Sequence, residues 1–195
     1  MNVCPIDHEY THPMILRNFL NTRECDLILK LADKKVFSPS GVGLGHATND
    51  AQRRSRTCWI NQDESIDLFL LYHRVRELLG DGYEDFEPLQ VVRYTKNDFF
   101  APHYDQDSDP EDLKKFGGPR LCTILIYLDH PQDYKGGETV FPHLHMSFKG
   151  NKGDAMLFYN LDVSRKFIHP LSLHSSNEIL DGVKNICNIW VRIKK

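Results

Sequence analysis

Beyond Gly82 the chain reads as strands and turns only. Glu87 to Thr95, Phe99 to Asp105, Arg120 to Asp129, Glu138 to Phe141, Ala155 to Tyr159, Phe167 to His174 and Val183 to Ile193 are short β-rich runs parted by turn residues. Such strands without intervening helices predict a sandwich or barrel. Upstream the periodicity is helical. Asn21 with Glu24 forms a capping-box pattern, and Cys25, Ile28, Leu31 and Ala32 follow at helical spacing. Ser65 to Leu79 is a second amphipathic helix, stopped by Gly80 with Gly82 beyond. The expected fold is therefore an all-β core with helical support (α+β). It is a jelly roll, or double-stranded β-helix, with the N-terminal helices packed on one sheet.

The remaining segments are connections and short strands. Residues 1 to 12 are polar and read as a loose arm or an edge strand, followed by a short strand at Met14 to Leu16. Ser38 to Asp50 is rich in Gly, Ser, Pro and Asn and reads as a loop. Its glycines, Gly41, Gly43 and Gly45, do not make a nucleotide fingerprint, because the flanking strand and helix are wrong. Arg53 to Ile60 reads as a strand. A single domain of 195 residues is expected, about 13–82 as helical support and loop and about 86–195 as jelly-roll core.

Composition narrows the function by exclusion. A formal charge of −3 gives no bulk reason to expect nucleic-acid or acidic-membrane binding. No apolar run approaches the roughly 20 residues that span a bilayer. The start lacks a secretory pattern, so a cytoplasmic location is expected. Five widely spaced cysteines (Cys4, Cys25, Cys58, Cys122, Cys187) read as free thiols in a reducing compartment.

The chemistry centres on His103-Tyr104-Asp105. On a strand, residues two apart leave the same face, so an imidazole and a carboxylate could grip one metal ion. A downstream histidine, His174, would complete a two-His, one-carboxylate face on iron with positions left open. His-x-Asp alone is a weak signal. A rival pair, His143-x-His145, follows Pro142 in a loop with no third ligand indicated.

Further along stand Gly136-Gly137-Glu138-Thr139-Val140-Phe141-Pro142, Lys152-Gly153-Asp154-Ala155-Met156-Leu157-Phe158, His174 and Lys184, in that order. With this company the chain resembles the Fe(II)- and 2-oxoglutarate-dependent dioxygenases, in particular the prolyl 4-hydroxylase family. The likeness runs from about Met14 to the C-terminus. It implies Fe(II) held by His103, Asp105 and His174, also the catalytic residues. The co-substrate 2-oxoglutarate would chelate the metal and place its far carboxylate on Lys184, with Tyr94, Tyr127 and Thr139 nearby. O2 would be consumed, succinate and CO2 released, and ascorbate would serve as reductant. Family peptide-binding positions correspond to Arg53, Ser55, Glu87 and Arg120.

The implied activity is hydroxylation of peptidyl proline to 4-hydroxyproline in a proline-containing peptide or protein, with no nucleic-acid or membrane partner. The loops Gln106 to Gly118 and Ser38 to Gln52 read as flexible lids over such a peptide, or as ordinary connections. Two departures from the family pattern bear on the substrate. Asn185 stands where the family has tryptophan after the lysine, and Ser175 to Ile179 lacks the usual proline. Other readings are the same chemistry on another residue or a small molecule, a non-catalytic binding module on the same fold, or a cupin of another kind, for which Lys184 would have no use. The sequence leaves the oligomeric state open.

Overall fold

The computed structural model describes residues 1–42, 49–80, 85–106 and 117–193. Two helices, α1 (Thr22–Ala32) and α2 (Ile66–Leu79), accompany the strands. β1 (Met14–Leu16), β2 (Ser38–Pro39), β3 (Arg53–Arg54), β4 (Arg56–Ile60), β5 (Asp85–Phe86), β6 (Leu89–Tyr94) and β7 (Phe99–His103) form the first group. The second group is β8 (Arg120–Tyr127), β9 (Tyr134–Gly136), β10 (Thr139–Phe141), β11 (Met146–Phe148), β12 (Ala155–Tyr159), β13 (His174–Ser176), β14 (Ile179–Gly182) and β15 (Lys184–Arg192).

The larger sheet runs β1-β12-β8-β15-β6-β4-β2, with β5 also paired to β15. The smaller one runs β11-β10-β13-β7-β3, and β14 pairs with β9. This is the expected jelly roll. The central strands of the larger sheet are buried on both faces, so their sequences are nearly continuous in apolar residues. Strand alternation sorts those residues into two cores. Cys187, Ile189 and Val191 of β15 join Cys122, Ile124 and Ile126 of β8 in a cluster completed by Ile28 of α1 and Leu68, Leu71 and Val75 of α2. Ile186, Leu125, Tyr127, Met156 and Phe158 point the other way, toward Phe141 of the smaller sheet. Helical support thus lies outside the larger sheet, and the site lies between the sheets.

Both helix starts are capped, the first as the sequence predicts. Asn21 and Glu24 exchange hydrogen bonds at the head of α1, and the Ser65 hydroxyl accepts from the Leu68 amide at the head of α2. α2 ends at Gly80, whose φ of +86° suits glycine. Two sequence expectations need correction. The run Arg53 to Ile60 is not one strand: Arg53 pairs with Phe100 of the smaller sheet, whereas Arg56 to Ile60 pair with β6 of the larger. Ser55 is the crossing point, held by its carbonyl and hydroxyl to Ser40. Phe167 to His174 is not a strand either. Pro170 opens a 3₁₀ turn over Pro170–Ser172, since proline brings no N–H for a ladder, and pairing resumes only at His174. Several short strands, including β9, β11 and β14, were not legible beforehand.

Candidate active site

His103 ends β7, and His174 opens β13 directly opposite it as its antiparallel partner. Strand pairing alone thus brings together two histidines 71 positions apart. Asp105 lies just past the end of β7 rather than within it, yet its carboxylate turns to the same point. Its Oδ1 lies 3.6 Å from His103 Nε2 and 3.7 Å from His174 Nε2. Among the described residues this is the only cluster with metal-ligating geometry, which leaves His143 and His145, both exposed, outside it.

The protonation states suit a divalent cation. His103 Nδ1 lies 2.8 Å from the Ala101 carbonyl, and His174 Nδ1 lies 3.0 Å from the Ser172 carbonyl. A carbonyl only accepts, so each Nδ1 carries the proton and each Nε2 offers its lone pair inward. Burial, then the neighbouring His103, pulls His174 down to about 4, so its ring is neutral near pH 7. Burial alone would raise the Asp105 carboxyl. The two imidazoles facing it and the Thr123 hydroxyl outweigh it and hold Asp105 well below its ordinary range. Two neutral imidazoles and one carboxylate, with outer partners fixing each ring, are a donor set that fits iron(II).

Sequence reading missed the residues that aim the carboxylate. Asp105 Oδ2 accepts from the Thr123 hydroxyl at 2.6 Å and from Trp190 Nε1 at 3.2 Å, leaving Oδ1 to the histidines. Thr123 is a small polar residue on the inner face of β8, beside the bulky Leu125 and Tyr127. That break in an apolar face was the available signal.

One cavity of about 130 Å³ is lined by all three candidate ligands, by Lys184 and Thr139, and by the rings of Trp59, Phe100, Tyr104 and Trp190. Lys184, Ile186, Asn188 and Trp190, alternate residues of β15, all line it. They span about 20 Å along the strand. Lys184 is fully enclosed. Its Nζ donates to the Gly137 carbonyl at 2.7 Å and to the Ser176 hydroxyl at 3.0 Å. Desolvation lowers it to about 7, despite Glu138 acting in the other direction. A buried ammonium with one hydrogen still to donate is a seat for an anion. Ser176, which holds it, is two residues from His174 on the same strand face, so the cation stands one dipeptide repeat, about 7 Å, along β13 from the metal corner.

The other expected contacts separate into two layers. Tyr94 and Thr139 line the cavity with Lys184. Tyr127 stands behind, its hydroxyl donating to Thr139 Oγ1 at 2.8 Å. Arg53 and Arg120 line the cavity, whereas Ser55 and Glu87 support them from the rear. Arg53 donates to the Ser55 hydroxyl and the Gly41 carbonyl, shares the Tyr94 hydroxyl with Ser55, and stacks 4.3 Å over Phe100. Phe100 in turn stacks on His103. Glu87 grips Arg120 with both oxygens and also pairs with Arg192. Arg120 donates to the Asp105 carbonyl at 2.9 Å and covers the Trp190 ring at 3.5 Å. Gly41 and Val42 of the Ser38 to Gln52 loop reach the cavity; residues 43–48 of that loop and 107–116 of the Gln106 to Gly118 loop lie outside the described residues.

Fold and site together define an iron(II)- and 2-oxoglutarate-dependent dioxygenase. Comparison with known proteins agrees. Residues 89–192 match the model of the 2OG-Fe(II) oxygenase superfamily. A protein of Acanthamoeba polyphaga mimivirus described as a candidate prolyl 4-hydroxylase is 31% identical over 97% of this chain and 78% of its own length. Prolyl 4-hydroxylase 1 of Arabidopsis thaliana is 29% identical over 93% of this chain and 69% of its own. Among solved structures, the viral collagen prolyl hydroxylase of Paramecium bursaria Chlorella virus-1, in its 2OG complex, is 29% identical. It superposes with a TM-score of 0.77 over 93% of this chain and 96% of that one. The chain belongs to the 2OG-Fe(II) oxygenase superfamily, in its prolyl 4-hydroxylase family.

Proposed function

We propose that the protein hydroxylates peptidyl proline to 4-hydroxyproline, with His103, Asp105 and His174 as iron ligands and Lys184 as the anchor of the 2-oxoglutarate C5 carboxylate. The observation that carries this reading is the single cavity joining the three ligand side chains, a buried ammonium and an aromatic-walled mouth. Supporting it, the relatives just described are named as prolyl hydroxylases. When bound, iron(II) and 2-oxoglutarate supply the oxidising chemistry: O2 and the co-substrate are converted to CO2 and succinate as one oxygen atom enters a C–H bond.

The rest of the reaction falls to the chain itself. The two Nδ1 protons stay on backbone carbonyls, so neither histidine acts as acid or base. Lys184, with Thr139 and Tyr94 beside it, fixes the far end of a five-carbon diacid, and Tyr127 keeps Thr139 in place. Leu125 and Ile186 give the cavity apolar wall, which helps keep water from the bound co-substrate. At the mouth, Arg53 and Arg120 face the cavity as fixed donors for the carbonyls of an extended peptide, with Ser55 and Glu87 holding their guanidinium groups. A polyproline-II segment suits such a groove because it is ordered before it binds. The whole chain would act as a single domain. The five cysteines, all free and buried, favour a cytoplasmic or other reducing compartment. Among the described residues, no helix is long and apolar enough to cross a membrane.

The test is 2-oxoglutarate turnover with Fe(II), ascorbate and a panel of proline-containing peptides, read by mass spectrometry beside a His174→Ala control. Proline is expected to gain one oxygen, and the control to lose the gain. Decarboxylation with no peptide oxidised would discard proline as the substrate and leave another residue or a small molecule. Iron binding with no decarboxylation would leave a non-catalytic binding module.

A further inference from the structure

Asn160 takes no part in the site as described so far: it is fully buried and does not line the cavity. It directly follows β12. Its side-chain Nδ2 donates to Thr123 Oγ1 at 3.1 Å. That contact fixes a proton. An ionised Asp105 only accepts, so the Thr123 hydroxyl must donate to it, and Thr123 can then only accept from behind. Asn160 must therefore present its NH2 group to Thr123, and its own Oδ1 is left buried without a partner among the described residues. An interior acceptor with no donor is a cost to folding, so stability alone does not account for this side chain.

The backbone of the same residue reaches the other ligand. The Asn160 carbonyl accepts from the His169 amide at 3.1 Å. The His169 carbonyl accepts from the Ser172 amide at 3.0 Å, and the Ser172 carbonyl accepts from His174 Nδ1. The Asn160 amide is tied as well, donating to the Leu121 carbonyl at 2.8 Å. The connection from Asn160 to Ser172 closes on itself at its base through a bridge between Leu161 and Ile168.

We propose that Asn160 is a positioning residue that registers the carboxylate ligand against the distal histidine, through its side chain on one side and its carbonyl on the other. The proposal rests on the metal-site reading above and goes beyond it. By keeping the Thr123 hydroxyl on Asp105 Oδ2, Asn160 would leave Oδ1, the oxygen facing the two histidines, as the one that holds a metal ion. Without the amide, the Thr123 hydroxyl loses the contact that fixes its rotamer, and Oδ2 keeps only Trp190 Nε1 as a fixed donor.

The test uses Asn160→Leu, close in shape and without the donor, and Thr123→Val, each alone and combined. Co(II) is the probe, with its affinity by calorimetry and its visible absorption bands as readouts. Asn160→Leu is expected to weaken Co(II) about tenfold and to shift the bands, and Thr123→Val to do the same. The double variant should be no weaker than Thr123→Val alone, because both remove one relay; a merely structural asparagine would give multiplied losses. Multiplied losses, or wild-type affinity and spectrum in Asn160→Leu, would overturn the proposal. Should Asn160→Leu fail to fold, the wild-type protein decides. On Zn(II) titration its Asn160 side-chain amide signals should shift in the nuclear magnetic resonance spectrum while those of exposed Asn177 stay fixed, and unmoved Asn160 signals would overturn the idea. Wild-type protein that binds neither ion would refute the metal site itself.

Discussion

The demands of folding and of the co-substrate role proposed for Lys184 pull in opposite directions. An unfolded lysine titrates near 10.5, but in the fold burial brings Lys184 to about 7. Between those values the unfolded chain holds the extra proton, so stability rises with pH across that window. The full penalty applies at and below pH 7 and vanishes above about 10.5. Lys184→Met is therefore expected to raise the melting temperature of the metal-free protein by several degrees at pH 7, at roughly 2–4 °C per kcal/mol for a chain of this size. The gain should shrink toward zero in melts at pH 10. The same variant is expected to bind 2-oxoglutarate about 10- to 100-fold more weakly in calorimetry. A variant less stable than its parent at pH 7 would contradict this account of the buried ammonium.

At the scale of elements, turns and straps fix the site more than strand propensity does. Gly136, at φ +73°, passes so close to Glu178 that an added Cβ would sit 2.1 Å from its carbonyl oxygen. Gly136→Ala is expected to cost about 2–3 kcal/mol in denaturant titration, with weaker 2-oxoglutarate binding, because the next residue, Gly137, supplies the carbonyl that holds Lys184. The N-terminal segment, expected as a loose arm or an edge strand, is a strap. Val3 bridges to Ile168, Tyr10 donates to the Tyr159 carbonyl, and its ring stacks 4.4 Å from His169. Removing residues 1 to 10 should lower stability by about 2 kcal/mol, the worth of a few hydrogen bonds, as read in thermal melts. The helices, their caps, the main strands and the candidate ligands were legible because each is marked within a few residues: a capping box, an alternation, a His-x-Asp. Thr123 and Trp190 were not legible as partners of one carboxylate, nor Asn160 as the partner of Thr123. They lie on three strands or strand ends, and only the order β12-β8-β15 makes them neighbours. The 3₁₀ turn at Pro170 could have been read from its proline, but the apolar residues around it pointed to a strand.

Taken whole, the molecule keeps its reactive sulfur out of reach. All five cysteines are buried, and burial pushes Cys25 and Cys122 up to about 12. A thiol reagent should label none of them rapidly in the folded protein and all five after denaturation; fast native labelling would contradict this packing. Metal binding should couple to folding through mass action. Co(II) at a hundred times its Kd is expected to add about 2.7 kcal/mol, visible as a raised melting temperature that His174→Ala abolishes. The central strands of the larger sheet also divide their labour by parity. In β15, Lys184, Ile186, Asn188 and Trp190 line the cavity, while Cys187, Ile189 and Val191 pack against the helical side. Heritable variation can therefore act on the two faces nearly independently. A lineage, or a directed-evolution library, that varies alternate residues can retune what the cavity accepts without repacking the scaffold, and can strengthen the scaffold without altering the chemistry.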